Sequence, residues 1–158
     1  MASKNIFGKL YETMRYFHNA HNEHLLSMQE QCKRAKTTVD LHHLASDIHS
    51  FCYYLHNHHT IEDQHLFPKL AAKIDISHLE AHHEQLAQLL NEFDSFSRRL
   101  KQLKTSEDVT PIVNEATLLV DKVSKLVNEH ERAEEEVISG DNLKKWFTES
   151  EVKRLFNL

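Results

Sequence analysis

Apolar side chains recur at three- and four-residue steps through four long segments, and the breaks between them fall at capping residues, Pro or Gly. The first segment runs from about Ser3 to Ala35, with Phe7, Leu10, Tyr11, Met14, Phe17, Leu25, Met28 and Cys32 on or near one face. The second follows Thr37-Thr38-Val39-Asp40, an N-cap with a carboxylate in the first turn, and carries Leu41, Leu44, Ile48, Phe51, Leu55, Leu66 and Leu70, with Pro68 near its end. The third begins around Ile76-Ser77 and carries Leu79, Leu86, Leu89, Phe93, Phe96, Leu100 and Leu103, before a polar connector from Lys104 to Asp108. The fourth opens on Thr110-Pro111, a cap followed by Pro at the first helical position, and carries Val113, Ala116, Val120, Val123, Val127 and Val137 up to Gly140, a C-terminal stop.

Four helices of this length joined by short connectors become antiparallel neighbours, so the pattern predicts an all-α, up-down-up-down four-helix bundle over residues 1–140. Residues 141–158 contain Leu143, Trp146, Phe147, Val152, Leu155 and Phe156, and Thr148 to Glu151 is spaced as a capping box. This predicts a short C-terminal helical tail packed over a bundle end. Two Gly and two Pro are too few for a turn-rich β protein.

The stripe turns polar at matching places on two helices. In the fourth it reads Val123, Val127, His130, Glu134, Val137; in the second it reads Phe51, Leu55, His58, Glu62, Leu66. A His and a Glu four residues apart point within roughly 40° of each other on a helix, so both reach one point inside the bundle. Solvated or simply hydrogen-bonded His–Glu pairs are the plainer alternative, but these two pairs interrupt an inward stripe. Two facing buried carboxylates repel unless a cation or proton compensates them. The first helix adds His18, His21 and His24, and the third adds His78, His82 and His83. One inward imidazole from each makes four imidazoles and two carboxylates, a dinuclear donor set. Such a set, with no thiolate, suits iron or another borderline metal rather than calcium, magnesium or structural zinc. Periodicity leaves two choices open: His18 and His21 share one broad face, and strict alternation from Leu79 to Leu86 slightly favours His82 over His83.

The segment His58-His59-Thr60-Ile61-Glu62-Asp63-Gln64-His65-Leu66-Phe67-Pro68 resembles the second-helix signature of hemerythrin-like, or HHE cation-binding, domains. His130-Glu131-Arg132-Ala133-Glu134-Glu135-Glu136-Val137 resembles the fourth-helix signature, with Ile138-Ser139 where many members have Phe-Pro. Phe17-His18-Asn19-Ala20-His21 to Leu25 and His83-Glu84-Gln85-Leu86 to Leu90 resemble the first- and third-helix motifs, so the resemblance spans about residues 10 to 140. It implies His18, His58, His83 and His130 as terminal ligands of two non-haem irons bridged by Glu62 and Glu134 and by an oxo, hydroxo or water bridge. It also implies an open position for dioxygen, nitric oxide or peroxide. The four-His, two-Glu pattern is closer to the iron–sulfur repair and iron-sensing branches than to the oxygen carriers, although His78-x-x-x-His82 offers the paired third-helix imidazoles of the carrier type. Gas binding, redox protection and a metal-responsive regulatory bundle without turnover all remain compatible with it, because fold and ligand set do not fix the reaction.

Charge and composition narrow the partners. With 19 Lys plus Arg against 24 Asp plus Glu, the net charge of -5 argues against nucleic acid. No apolar run is long enough to span a membrane and no signal core opens the chain, which points to a soluble, cytoplasmic protein with a small diatomic ligand and no membrane partner. Cys32 and Cys52 form no metal-ligand spacing and are expected as packed thiols. The other His of the 14 divide in two: His42, His43, His49 and His56 fall off the inward face, while His59 and His65 flank the site, either orienting the carboxylates or lying on the surface. In the acidic run Glu134 to Glu136, only Glu134 has the inward phase.

Overall fold

The computed structural model describes residues 5–105 and 108–158, and the ordered elements among them are all helical. The expected helix start at Ser3 and part of the Lys104 to Asp108 connector lie outside the described residues. The long helices are α1 (Ile6–Arg34), α2 (Thr38–Ile61), α4 (Ser77–Lys101) and α5 (Thr110–Ile138). A π-helical turn (Glu62–Leu66) and α3 (Phe67–Ala71) continue α2, and α6 (Gly140–Trp146) and α7 (Glu149–Phe156) form the tail. α1 packs against α2 and α5, and α4 packs against the same two helices, giving a helical bundle. None of these helices is long and apolar enough to cross a membrane.

Local chemistry sets the helix ends. Thr37 caps α2 by accepting from Asp40 N–H while the Asp40 carboxylate accepts from Thr37 N–H, so the expected N-cap and first-turn carboxylate form a reciprocal box. Two expectations shift. Thr110 is the first residue of α5 and not its cap; its N–H donates to the Asp108 carboxylate, and Pro111 follows inside the first turn. Gly140 does not stop α5 in a left-handed conformation, because Ser139 ends α5 and its hydroxyl caps α6 by accepting from Asn142 N–H. Gly140 matters for space instead: a Cβ there would lie 3.3 Å from the Phe7 carbonyl carbon and oxygen.

The second helical segment is not one regular helix. Phe67 N–H donates to Glu62 C=O, five residues back. On an uninterrupted helix Phe67 would lie about 140° around the axis from Glu62, whereas a five-residue turn sets it on the same side. Leu66, Phe67 and Leu70 are all buried as a result. Phe17, expected on or near the inward face of the first helix, is 43% exposed and borders a cleft between α1 and α2.

The core has two apolar clusters. One includes Leu25, Leu55, Leu86 and Val127, one residue from each long helix. The other includes Met14, Leu66, Leu79 and Val137, and with them Leu143, Phe147 and Val152 of the tail. The polar residues that interrupt the stripes lie between these two layers.

Candidate metal centre

Each long helix supplies the layer between the apolar clusters. His18 and His21 come from α1, His58 and His59 from α2 with Glu62 at the start of its π turn, His83 from α4, and His130, Glu131 and Glu134 from α5. The six residues singled out in the sequence converge here. His18, Glu62 and Glu134 retain 1%, 3% and 0% of their exposure, and His83 and His130 are likewise buried.

Each glutamate reaches two imidazoles from different helices. Glu62 Oε1 lies 3.4 Å from His58 Nε2 and 3.5 Å from His83 Nε2. Glu134 presents Oε1 to His18 Nε2 and Oε2 to His130 Nε2, each at 3.3 Å. The donors fall into two convergent groups, one of His18, His58 and Glu134, the other of His59, Glu62, His83 and His130. These contacts do not satisfy the atoms involved: both oxygens of Glu62, both of Glu134 and His58 Nε2 are buried without a hydrogen-bond partner. Buried carboxylate oxygens in that condition cost several kcal/mol unless a cation takes them (on the order of 1–3 kcal/mol per neutral group and more for a charge). A pair of cations among neutral nitrogens and carboxylate oxygens fits this donor set.

Outer carboxylates fix how the imidazoles face the centre. His83 Nδ1 donates to Asp63 Oδ1 at 2.6 Å, and His18 Nδ1 donates to Glu135 Oε1 at 3.1 Å, so each ring turns the lone pair of Nε2 inward. The Nε2 atoms of His83 and His130 lie 3.0 Å apart, and with the former acting as acceptor the two rings converge on one point. His21 turns its Nδ1 to Glu131 Oε2 at 2.8 Å.

Burial keeps most of these imidazoles uncharged. It pushes His58 down to about 3 and His21 down to about 4, and it lowers His59 and His130 as well. His18 is the exception: burial opposes its charge, but Glu134, Glu131 and Glu135 outweigh burial and raise it. Burial and then the neighbouring Glu134 raise the Glu62 carboxyl well above the carboxylate range, and burial takes Glu131 up to about 8. Burial opposes charge on Glu134 too, but the neighbouring Glu62, His130 and His18 outweigh it and hold that carboxyl well below the ordinary range, so without cations Glu62 carries a proton and Glu134 the charge.

The alternatives that periodicity left open take different places. His18 reaches Glu134 while His21 serves Glu131, and His83 reaches Glu62 while His82 sits half-buried with its Nδ1 3.2 Å from His130 Nδ1. His78 and His65 are exposed, and neither enters the donor groups. His59 is buried and stacks on His83 with ring centroids 4.1 Å apart. Glu131, at 4% exposure, was not anticipated as an inward residue. Each directly follows a stripe His, so the signal was present: where four helices meet around a polar layer, two adjacent positions on one helix both face in. Cys32 and Cys52 are buried free thiols, as expected.

A family model described as "Hemerythrin HHE cation binding domain" matches residues 9–140, which takes in all but the first three residues of α1 and the whole of α2, α4 and α5. Neither the curated proteins nor the solved structures give a match to this chain.

Proposed function

Because this chain belongs to the hemerythrin HHE cation-binding domain family, we propose that its core holds two non-haem irons and admits dioxygen, nitric oxide or peroxide at one of them. Glu62 and Glu134 would hold the two ions together, with His18 and His58 serving one and His83 and His130 the other. His59 would offer a further nitrogen on the His83 side, so the His18–His58 side has fewer protein donors and is where a small ligand would be admitted. The observation that carries this reading is the crossed reach of the glutamates, each within 3.5 Å of one imidazole from either pair, with their oxygens otherwise unpartnered. The same reading takes the four long helices as an up-down-up-down four-helix bundle, which their mutual contacts support.

When bound, the irons supply the electrons and the coordination position for the small ligand. The chain's own residues do the rest. The apolar layers of Leu25, Leu55, Leu86 and Val127 on one side and Met14, Leu66, Leu79 and Val137 on the other exclude bulk water. Asp63 and Glu135 hold the Nδ1 protons of His83 and His18 and so aim their Nε2 atoms. Glu131, paired with His21, holds a proton beside the His18 side of the centre.

Metal analysis of the purified chain tests the reading. It expects close to two irons per chain, with an absorption change on exposure to dioxygen or nitric oxide, and both lost in Glu62→Ala plus Glu134→Ala. Metal that survives the double substitution would sink it. A second reading, a metal-responsive module, is supported by Phe67, which stacks on His83 at 4.6 Å and belongs to the same cluster as Leu143 and Phe147 of the tail. Protease cutting in the tail that depends on metal, without a spectral response to either gas, favours that second reading.

A further inference from the structure

The cleft between α1 and α2 is far larger than a diatomic ligand needs. Its volume is about 630 Å³, within the roughly 300–1,000 Å³ of pockets that enclose organic ligands. Its walls are Tyr16 and Phe17 of α1 and Tyr54 and Ile61 of α2. These side chains are 75%, 43%, 64% and 60% exposed, a concentration of large apolar surface that water does not favour. At the floor lie His58 and Glu62, whose Nε2 and carboxylate oxygens lack partners.

The cleft also has a charged end. Lys69 lines it and makes no ion pair among the described residues. Lys69 lies about 16 Å beyond His58 along the same helical run at ~1.5 Å per residue. The cavity on the His83 side, about 450 Å³, is lined by Asp63, Glu80 and Glu84 and repels anions. An anion with an apolar body is therefore matched by one cleft and refused by the other.

We propose that the α1–α2 cleft binds a free medium-chain fatty carboxylate, its head paired with Lys69 and its chain laid over Ile61 and Phe17 toward His58. A chain of about ten carbons suits the span between Lys69 and the floor. Occupancy of the cleft needs only these side chains; that the buried chain end lies beside a metal rests on the di-iron reading above. Such a ligand covers the mouth nearest the open position and so controls what else reaches it.

Calorimetric titration of sodium decanoate into the full chain, stripped of metal with chelator, tests the cleft by itself. The expected result is saturable one-to-one binding, at least tenfold tighter than butanoate or decanol. Lys69→Glu and Tyr54→Asp each weaken it tenfold or more while the circular-dichroism melting curve stays unchanged. Absence of saturable binding, or binding that both variants leave intact, overturns the proposal. A concentration-dependent dimer abolished by Tyr54→Asp and unaffected by decanoate also overturns it, because a second copy then covers the face. In iron-loaded protein, decanoate is expected to slow the nitric oxide absorption change at least tenfold. Decanoate binding in a chain that takes up no iron sinks the di-iron reading and leaves the cleft standing.

Discussion

Asp63 accepts a hydrogen bond from His83 Nδ1 at 2.6 Å, the shortest side-chain contact at the centre, and it does so from a half-exposed position while His83 is buried. Removing the acceptor frees the ring to turn and to exchange tautomers. Asp63→Ala is expected to lower metal affinity about 10–100-fold, with Asp63→Asn retaining most of it because its amide oxygen still accepts. Cobalt titration followed by absorption measures both; equal affinity in Asp63→Ala and the parent chain removes Asp63 from the centre.

Phe147 lies at 4% exposure in the cluster that also holds Leu66, Phe67 and Val137. Truncation to Ala should cost about 3–5 kcal/mol of stability by leaving a cavity. Chemical denaturation gives the loss, and metal titration of the same variant shows how far the tail supports the centre: weakened binding is expected because Phe67 stands between Phe147's cluster and His83.

Gly140 faces backbone, not a side chain that can swing away. Gly140→Ala forces α6 or the start of α1 to shift, with an expected loss of about 1–3 kcal/mol despite the better helix propensity of Ala. A rise in melting temperature on this substitution contradicts the close approach.

Lys73 Nζ donates to Glu151 Oε2 at 2.7 Å and, together with the Thr148 backbone N–H, holds that carboxyl down at about 2. A carboxyl depressed in the folded state stabilises it fully above the unfolded value of ~4.3, and that contribution disappears as pH falls toward the folded value. Docking of α7 is therefore expected to weaken between these two pH values. Carboxyl NMR should find the Glu151 midpoint moved back up toward the ordinary range in Lys73→Met.

The sequence carried the inward His–Glu pairs because they replace apolar residues on stripes that are otherwise unbroken, and the observed cores confirm those stripes. Capping chemistry placed α2 and α7 for a similar reason: the Thr37–Asp40 and Thr148–Glu151 boxes are local and do not depend on what packs above them. Gly140 misled because its role is set by Phe7, far away in the chain. Glu131 was hidden, and His59 was left open between orienting the carboxylates and lying on the surface, because a single stripe describes a helix against an apolar core, whereas a polar layer surrounded by four helices draws in a wider arc. Asp63 and Glu135 belong to that same arc, acting from its solvent edge on rings that a sequence pattern cannot orient.

The wide turn after Glu62 divides one helical run into two frames. Upstream, the frame aims His58 and Glu62 at the polar layer; downstream, it aims Phe67 and Leu70 at the tail's cluster. Forcing this turn into regular four-residue spacing with no residue removed would keep every chemical group yet rotate the downstream half by about a quarter turn or more, carrying Phe67 away from the His83 ring it stacks on. What looks like a local irregularity is thus the joint that lets one strand of chain serve two different layers at once.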